Sequence, residues 1–168
     1  MTSHLHRYKA TLEWRGNHGD GTRHYDGYGR EFEVAVPGKP PLVGSADPAF
    51  RGDPALHNPE ELLLIALSSC HMLSYLALCA SQHVCVLAYR DRAEAVMATD
   101  ATGGGRFTGV TLYPEVVIGD AAQRVLATEL HGKAHALCFI ANSCNFPVAH
   151  HADIRIASAA AATAEHAR

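Results

Sequence analysis

The sequence predicts an α+β protein, because strand-like runs at both ends of the chain flank two helical segments of different character. Three observations carry that expectation. Glu31 to Val36 alternates polar and apolar as EFEVAV, residues 59–82 are almost continuously apolar behind a strong helix start, and residues 120–141 carry a helical stripe. With 168 residues, 48% of them hydrophobic and 18% charged, the chain can bury a core. We expect one domain over residues 1–156, built of antiparallel sheets around the helices.

Taken in order, Tyr8 to Trp14 alternates loosely, and Asn17, Asp20 and the glycines from 16 to 21 mark a turn-rich loop before Glu31 to Val36. A hairpin or meander follows. Residues 37–57 hold Pro37, Pro40, Pro41, Pro48 and Pro54, which exclude a regular helix and predict a long ordered loop. Asn58-Pro59-Glu60-Glu61 then offers a cap, a proline suited to the first turn, and two carboxylates for the positive end of the dipole. The helix should reach about Gln82, with apolar residues on every side. A helix of that kind is one surrounded by protein.

Val84 to Ala98 and Phe107 to Ile118 read as strands joined by a turn at Thr102-Gly103-Gly104-Gly105. Asp120 opens a second helix with Val125, Leu126, Leu130, Ala134 and Leu137 on its expected stripe, ending near Ala141. Phe146 to Ile156 would be the last strand. Residues 157–168 are alanine-rich with no stripe to bury, and predict a flexible tail.

A net charge of −3 and a pI near 6.4 give no general electrostatic hold on nucleic acid or an anionic membrane. The segment from Glu61 to Ala80 has the length of a bilayer span, but Ser68, Ser69, Cys70 and His71 place a polar patch at its centre and no basic flank precedes it. No secretory signal opens the chain, so a cytoplasmic protein is expected. Five cysteines, at 70, 79, 85, 138 and 144, lack the dense spacing of a disulfide-stapled domain.

Cys70 is the most suggestive of the five, being polar company for two serines and a histidine inside an apolar helix; a buried cysteine otherwise behaves as a small hydrophobe. Cys138 follows His135 near the end of the second helix. Two thiols 68 residues apart on two helices form a redox pair if those helices meet. His131, His135 and Cys138 share a helical face and make an alternative zinc set, although no CxxC or HExxH accompanies them. Cys79 and Cys85 read as structural, and Cys144 as packing or an alternative thiol partner.

HNPEELLLIALSSCHML (57–73) followed by KAHALCFIANSCNFPV (133–148) resembles the OsmC/Ohr family of hydroperoxide-reducing proteins over roughly residues 8–156. The matching features are NPEE at the head of the helix, a cysteine ten residues after its first glutamate, and a late second cysteine with Asn142. The resemblance implies an OsmC-like fold in an intertwined homodimer, and a thiol peroxidase without a cofactor. Cys70 would attack an organic hydroperoxide, Cys138 would close a disulfide with it, and a thiol reductant, in this family often a lipoylated protein or dihydrolipoamide, would reopen it. It also implies an arginine held by Glu60 to favour the thiolate: Arg51 by its place before NPEE, with Arg23 and Arg30 of the first hairpin loop as alternatives. Arg30 could instead pair with Glu31 or Glu33. This chain departs from the family pattern in reading CFIANS where many relatives have CPYS, and His71 where many have an aromatic residue.

Ten residues of straight helix put Glu60 and Cys70 ~15 Å and about 80° apart, so one helix cannot place both in one site. Either the helix start bends, or the glutamate near each Cys70 comes from a second chain. A different class of function also fits the sequence: a non-enzymatic stress protein that binds an apolar small ligand.

Overall fold

The computed structural model describes residues 4–158, in two compact units that meet in sequence within the long helix, one ending at Leu63 and the other starting at Leu64. Beyond Ser158 the expected tail lies outside the described residues; Ala157 itself still donates to the Ile118 carbonyl at 2.9 Å.

The first unit is an antiparallel meander of β1 (Thr11–Trp14), β2 (Phe32–Ala35) and β3 (Leu42–Gly44), with Trp14 opposite Phe32 and Phe32 opposite Gly44. β3 falls inside the stretch read as loop, because three residues between prolines are too few to show a period. The rest of that stretch is ordered by its own polar groups. Ser45 N–H donates to the His57 carbonyl at 3.0 Å, Asp53 N–H donates to Ser45 Oγ at 3.1 Å, and Asp47 caps a single 3-10 turn at Pro48–Phe50. Gly52 is obligatory there, since a Cβ would lie 1.6 Å from the Ala46 carbonyl oxygen.

Helix α1 (Pro59–Ser81) begins in a reciprocal capping box: Asn58 Oδ1 accepts from Glu61 N–H at 2.8 Å, and Glu61 Oε2 accepts from Asn58 N–H at 3.3 Å. It ends through His83, in the left-handed region at φ 59°, with Val84 N–H donating back to the Cys79 carbonyl at 2.8 Å. By length and composition α1 could cross a membrane. Its polar centre is nevertheless spent on protein: Ser68 donates to Asp91 at 2.6 Å, and His71 bonds His131.

Beyond α1 the chain forms β4 (Val86–Asp91), β5 (Glu94–Thr99), β6 (Gly105–Leu112), β7 (Pro114–Ile118), α2 (Arg124–Leu137), β8 (Val148–His150) and β9 (Asp153–Ile156). These strands make two sheets, β4-β7-β9 and β5-β6-β8. Neither is wholly antiparallel as expected. β4 pairs with β7 and β5 with β6 antiparallel, whereas β9 joins β7 and β8 joins β6 in parallel. Each of the three expected long strands is in fact two, broken at Arg92–Ala93, at Tyr113 and at His151–Ala152, so that each segment serves both sheets. Asp91 fixes this corner, taking Tyr113 N–H at 2.7 Å on one oxygen and the Ser68 hydroxyl on the other.

The core joins Tyr75 and Cys79 of α1, Val116 and Ile118 of β7, Ile154 of β9, and Ala127, Leu130 and Ala134 of α2. The stripe of α2 is therefore rotated from the expected one. Val125 is 71% exposed and Leu137 55%, while His131 is buried with Ala127, Leu130 and Ala134. α2 also stops at Leu137 rather than Ala141. Among the cysteines not expected to react, Cys79 is buried, Cys144 is half-buried and donates to the Ile140 carbonyl at 3.3 Å, but Cys85 is exposed.

Candidate functional site

Cys70 lies mid-helix on α1, half-buried, and Cys138 is the C-terminal cap of α2, 1% exposed. The two thiols are neighbours, near enough for Cys70 to act on the Cys138 thiol, and all five cysteines are free. The turn after α2 sets the second thiol in place. Cys138 N–H donates to His135 O at 3.2 Å, Asn142 N–H returns to Cys138 O at 3.0 Å, and the Asn142 amide donates to Ala136 O at 3.0 Å. Asn142 is thus the clasp of the cysteine turn.

Burial pushes the Cys138 thiol up to about 11; the Ala141 N–H, 3.5 Å from its sulfur, pulls the other way, and the contact with Cys70 adds to the rise. A thiol so raised stays protonated at neutral pH and makes a poor first nucleophile. Chemically, the pair divides into a more accessible sulfur on α1 and a buried partner beside it.

The arginine candidates lie in the first unit. Arg51 is exposed and holds the left-handed backbone at φ 66°, with its N–H on the Pro48 carbonyl at 3.0 Å; its side chain has no ion-pair or hydrogen-bond partner among the described residues. Arg23 is likewise exposed. Arg30 is occupied, but not by Glu31 or Glu33. Its guanidinium donates to the Tyr25 and Tyr28 carbonyls and lies 4.6 and 3.9 Å from their ring centres, while Arg15 takes Glu33 at 3.4 Å and Glu13 at 2.8 Å. The second glutamate of NPEE, Glu61, is committed to the helix cap. Glu60 is half-buried and, among the described residues, forms no ion pair with Arg51 or any other cation.

His131 and His135 do not converge with Cys138 on a metal, and among the described residues no three His, Cys, Asp or Glu side chains are arranged to hold one. His131 is engaged elsewhere: its Nδ1 lies 3.0 Å from Nε2 of His71, and its ring stacks on Tyr75 at 3.8 Å. His150 lies 5.4 Å from His71 and 6.1 Å from His131, ring centre to ring centre, and His135 flanks His150 at 5.6 Å. Burial, with the neighbouring histidines adding to it, lowers His71 to about 4 and His131 to about 3, so both are neutral at pH 7. The sequence reading passed over His71 as part of this site; its signal was a histidine in the apolar helix, paired with one seven residues before Cys138. On another side of α1 lies a groove of about 360 Å³, lined by Leu64, Ile65, Met72, Tyr89 and Arg90 among others, that includes neither thiol.

The family model for OsmC-like protein matches residues 52–151, more than half of the chain. No curated protein matches it in sequence. Among solved structures, an OsmC-like protein of unknown function from Vibrio cholerae is 30% identical, covering 89% of this chain and all of its own, with a TM-score of 0.76. An organic hydroperoxide resistance protein OsmC from Legionella pneumophila is 19% identical over 91% of this chain and 99% of its own, TM-score 0.66. The organic hydroperoxide resistance protein OhrB of Bacillus subtilis is also 19% identical, over 88% and 98%, TM-score 0.58. At that identity the last two speak for the fold alone. Matched by the family model over most of its length and by a 30% identical OsmC-like structure over 89% of it, the chain belongs to the OsmC-like family and has its fold.

Proposed function

We propose that the protein is a thiol peroxidase that reduces organic hydroperoxides in a reducing, cytoplasmic setting. The observation that carries this reading is the contact of Cys70 and Cys138, free thiols from two helices, 68 residues apart in sequence. The Cys70 thiolate attacks the terminal peroxide oxygen. The O–O bond breaks, the alkoxide takes a proton and leaves as alcohol, and Cys70 becomes a sulfenic acid. Cys138, as its thiolate, then attacks that sulfur; hydroxide leaves, takes up the proton Cys138 gave, and departs as water. A dithiol reductant such as dihydrolipoamide reopens the disulfide by exchange, supplying the two electrons the peroxide consumed.

In this scheme Arg51 stabilises the thiolate and Glu60 orients the arginine, both brought to Cys70 in a homodimer. Support for the dimer comes from α1, which leaves Ile65 49% and Leu73 62% exposed on a helix that the sequence made apolar all round. Stopped-flow oxidation by an organic hydroperoxide against hydrogen peroxide, with mass mapping of the disulfide, tests the chemistry. Cys70→Ser should abolish peroxide-dependent thiol loss. A Cys79–Cys85 bridge with Cys70 still free would overturn the assignment. Co-assembled Cys70→Ser and Glu60→Ala chains should recover one intact site per dimer; no recovery would remove the shared site.

A second reading, an apolar-ligand protein without turnover, draws on the groove beside α1, where the Tyr89 hydroxyl is buried with no partner. Ligand retention with no peroxide reaction at Cys70 would favour it.

A further inference from the structure

The two helices that bring the thiols together are joined a second time, one residue along α1. Cys70 and His71 are consecutive on α1. His131 and Cys138 are seven apart on α2, two turns along nearly the same face. We propose that His71 and His131 are positioning residues for the thiol pair: their N–H···N bond fixes how α1 is seated on α2, and so holds Cys70 and Cys138 at reacting distance. The proposal rests on the two-thiol reading given above.

Three features argue that this contact does more than fill space. The bond is directional and the rings are held: His131 stacks on Tyr75 with planes 11° apart, and the Tyr75 hydroxyl donates to the Ala127 carbonyl at 3.1 Å, one turn before His131. Both imidazoles are 1% exposed, yet His71 Nδ1 and His131 Nε2 have no partner, so two aliphatic side chains would pack there at lower cost. Aliphatic side chains can slide; an N–H···N bond at 3.0 Å cannot. The thiols supply no comparable constraint, because S–H is a weak donor, while a disulfide tolerates only a narrow range of separations and angles. The pair takes no proton in the reaction: disulfide formation remains attack by the Cys138 thiolate on the Cys70 sulfenic acid, with hydroxide leaving to become water.

The test is the equilibrium constant of the Cys70–Cys138 couple in a glutathione redox buffer, acid-quenched, alkylated and mapped by mass. It needs no peroxide turnover, so a chain that forms the disulfide but reduces no hydroperoxide would lose the peroxidase reading and keep this one. His71→Gln and His71→Met have similar length and differ in whether they can bond His131. The Gln variant should stay within about threefold of the native constant. The Met variant should fall at least tenfold, about 30 mV for a two-electron couple. Should changes on α1 unfold the chain, His131→Asn against His131→Leu puts the same comparison from α2. Equal constants in the bonding and non-bonding variants, or no Cys70–Cys138 disulfide in the native protein, would overturn the proposal.

Discussion

Two pairs of side chains join α1 to α2, and they share a frame while differing in every chemical respect. The thiol pair sits at the end of α2, where the helix stops and one sulfur is reachable from outside. The imidazole pair sits two turns inside, stacked against Tyr75 and closed from water. Burial raises one member of the first pair, Cys138, and lowers both members of the second, because it disfavours whichever form is charged: thiolate in one case, imidazolium in the other. The same low-polarity surroundings therefore keep a thiol protonated and two histidines unprotonated. Of the two sulfurs in the pair, Cys70 is the less enclosed.

The strongest way to break this contrast is Cys138→Ser. If Cys70 attacks first, the variant should release one equivalent of alcohol per chain and then stall at the sulfenic acid, lowering steady-state turnover by ~10³-fold or more. A burst measurement checks it, and undiminished turnover would remove Cys138 from the cycle. A second prediction concerns acid. His71 and His131 bind protons near pH 6.5 in the unfolded chain but only near about 4 and about 3 when folded, with His150, His135 and Tyr75 facing them. The unfolded state then binds more protons between those values, so stability falls as pH drops from 6.5 toward 4 and is flat above about 7.5. The slope approaches two protons, or ~2.7 kcal/mol per pH unit, near pH 5. Urea melts across that range should show it in native protein and lose it in His71→Leu/His131→Leu.

Smaller effects sharpen the picture. Tyr75→Phe keeps the stacked ring and removes the bond to Ala127 O, which should cost about 1 kcal/mol by urea denaturation. Val125→Ala, at a residue 71% exposed, should change stability by less than about 0.5 kcal/mol. A loss of several kcal/mol there would mean that the stripe first expected for α2 is the packed one after all.

That stripe shows where sequence patterns stop being informative. The head of α1 was readable to the residue, because Asn58 and Glu61 act locally and capping chemistry is a matter of spacing. The two cysteines of the proposed thiol pair stood out through their resemblance to family motifs. The face of α2 was not: counting only apolar residues assigned Val125 and Leu137 to the interior, whereas the buried row passes through His131, whose hydrogen-bond partner lies 60 residues away. The three broken strands were hidden for a similar reason. Their bends lie at Arg92, Tyr113 and His151, of which only Tyr113 is followed by a proline, Pro114, and the carboxylate that holds the corner, Asp91, gains its role only through Ser68 and Tyr113. Cys85 looked structural from its place in the expected strand, and only three-dimensional packing puts it at the surface.

The bent strands also bear on how the chain acquires its structure. Each sheet receives its third, parallel strand from the C-terminal end: β8 onto β6 and β9 onto β7, across separations of nearly forty residues. Local hairpin pairing alone can complete neither sheet, and α2 lies in sequence between β7 and both closing strands. Contacts of such separation are the slow ones to form. During synthesis, then, the edges of β6 and β7 are not both covered until the last described strand is made, and for that interval Cys70 and Cys138 exist in a chain whose sheets are unfinished.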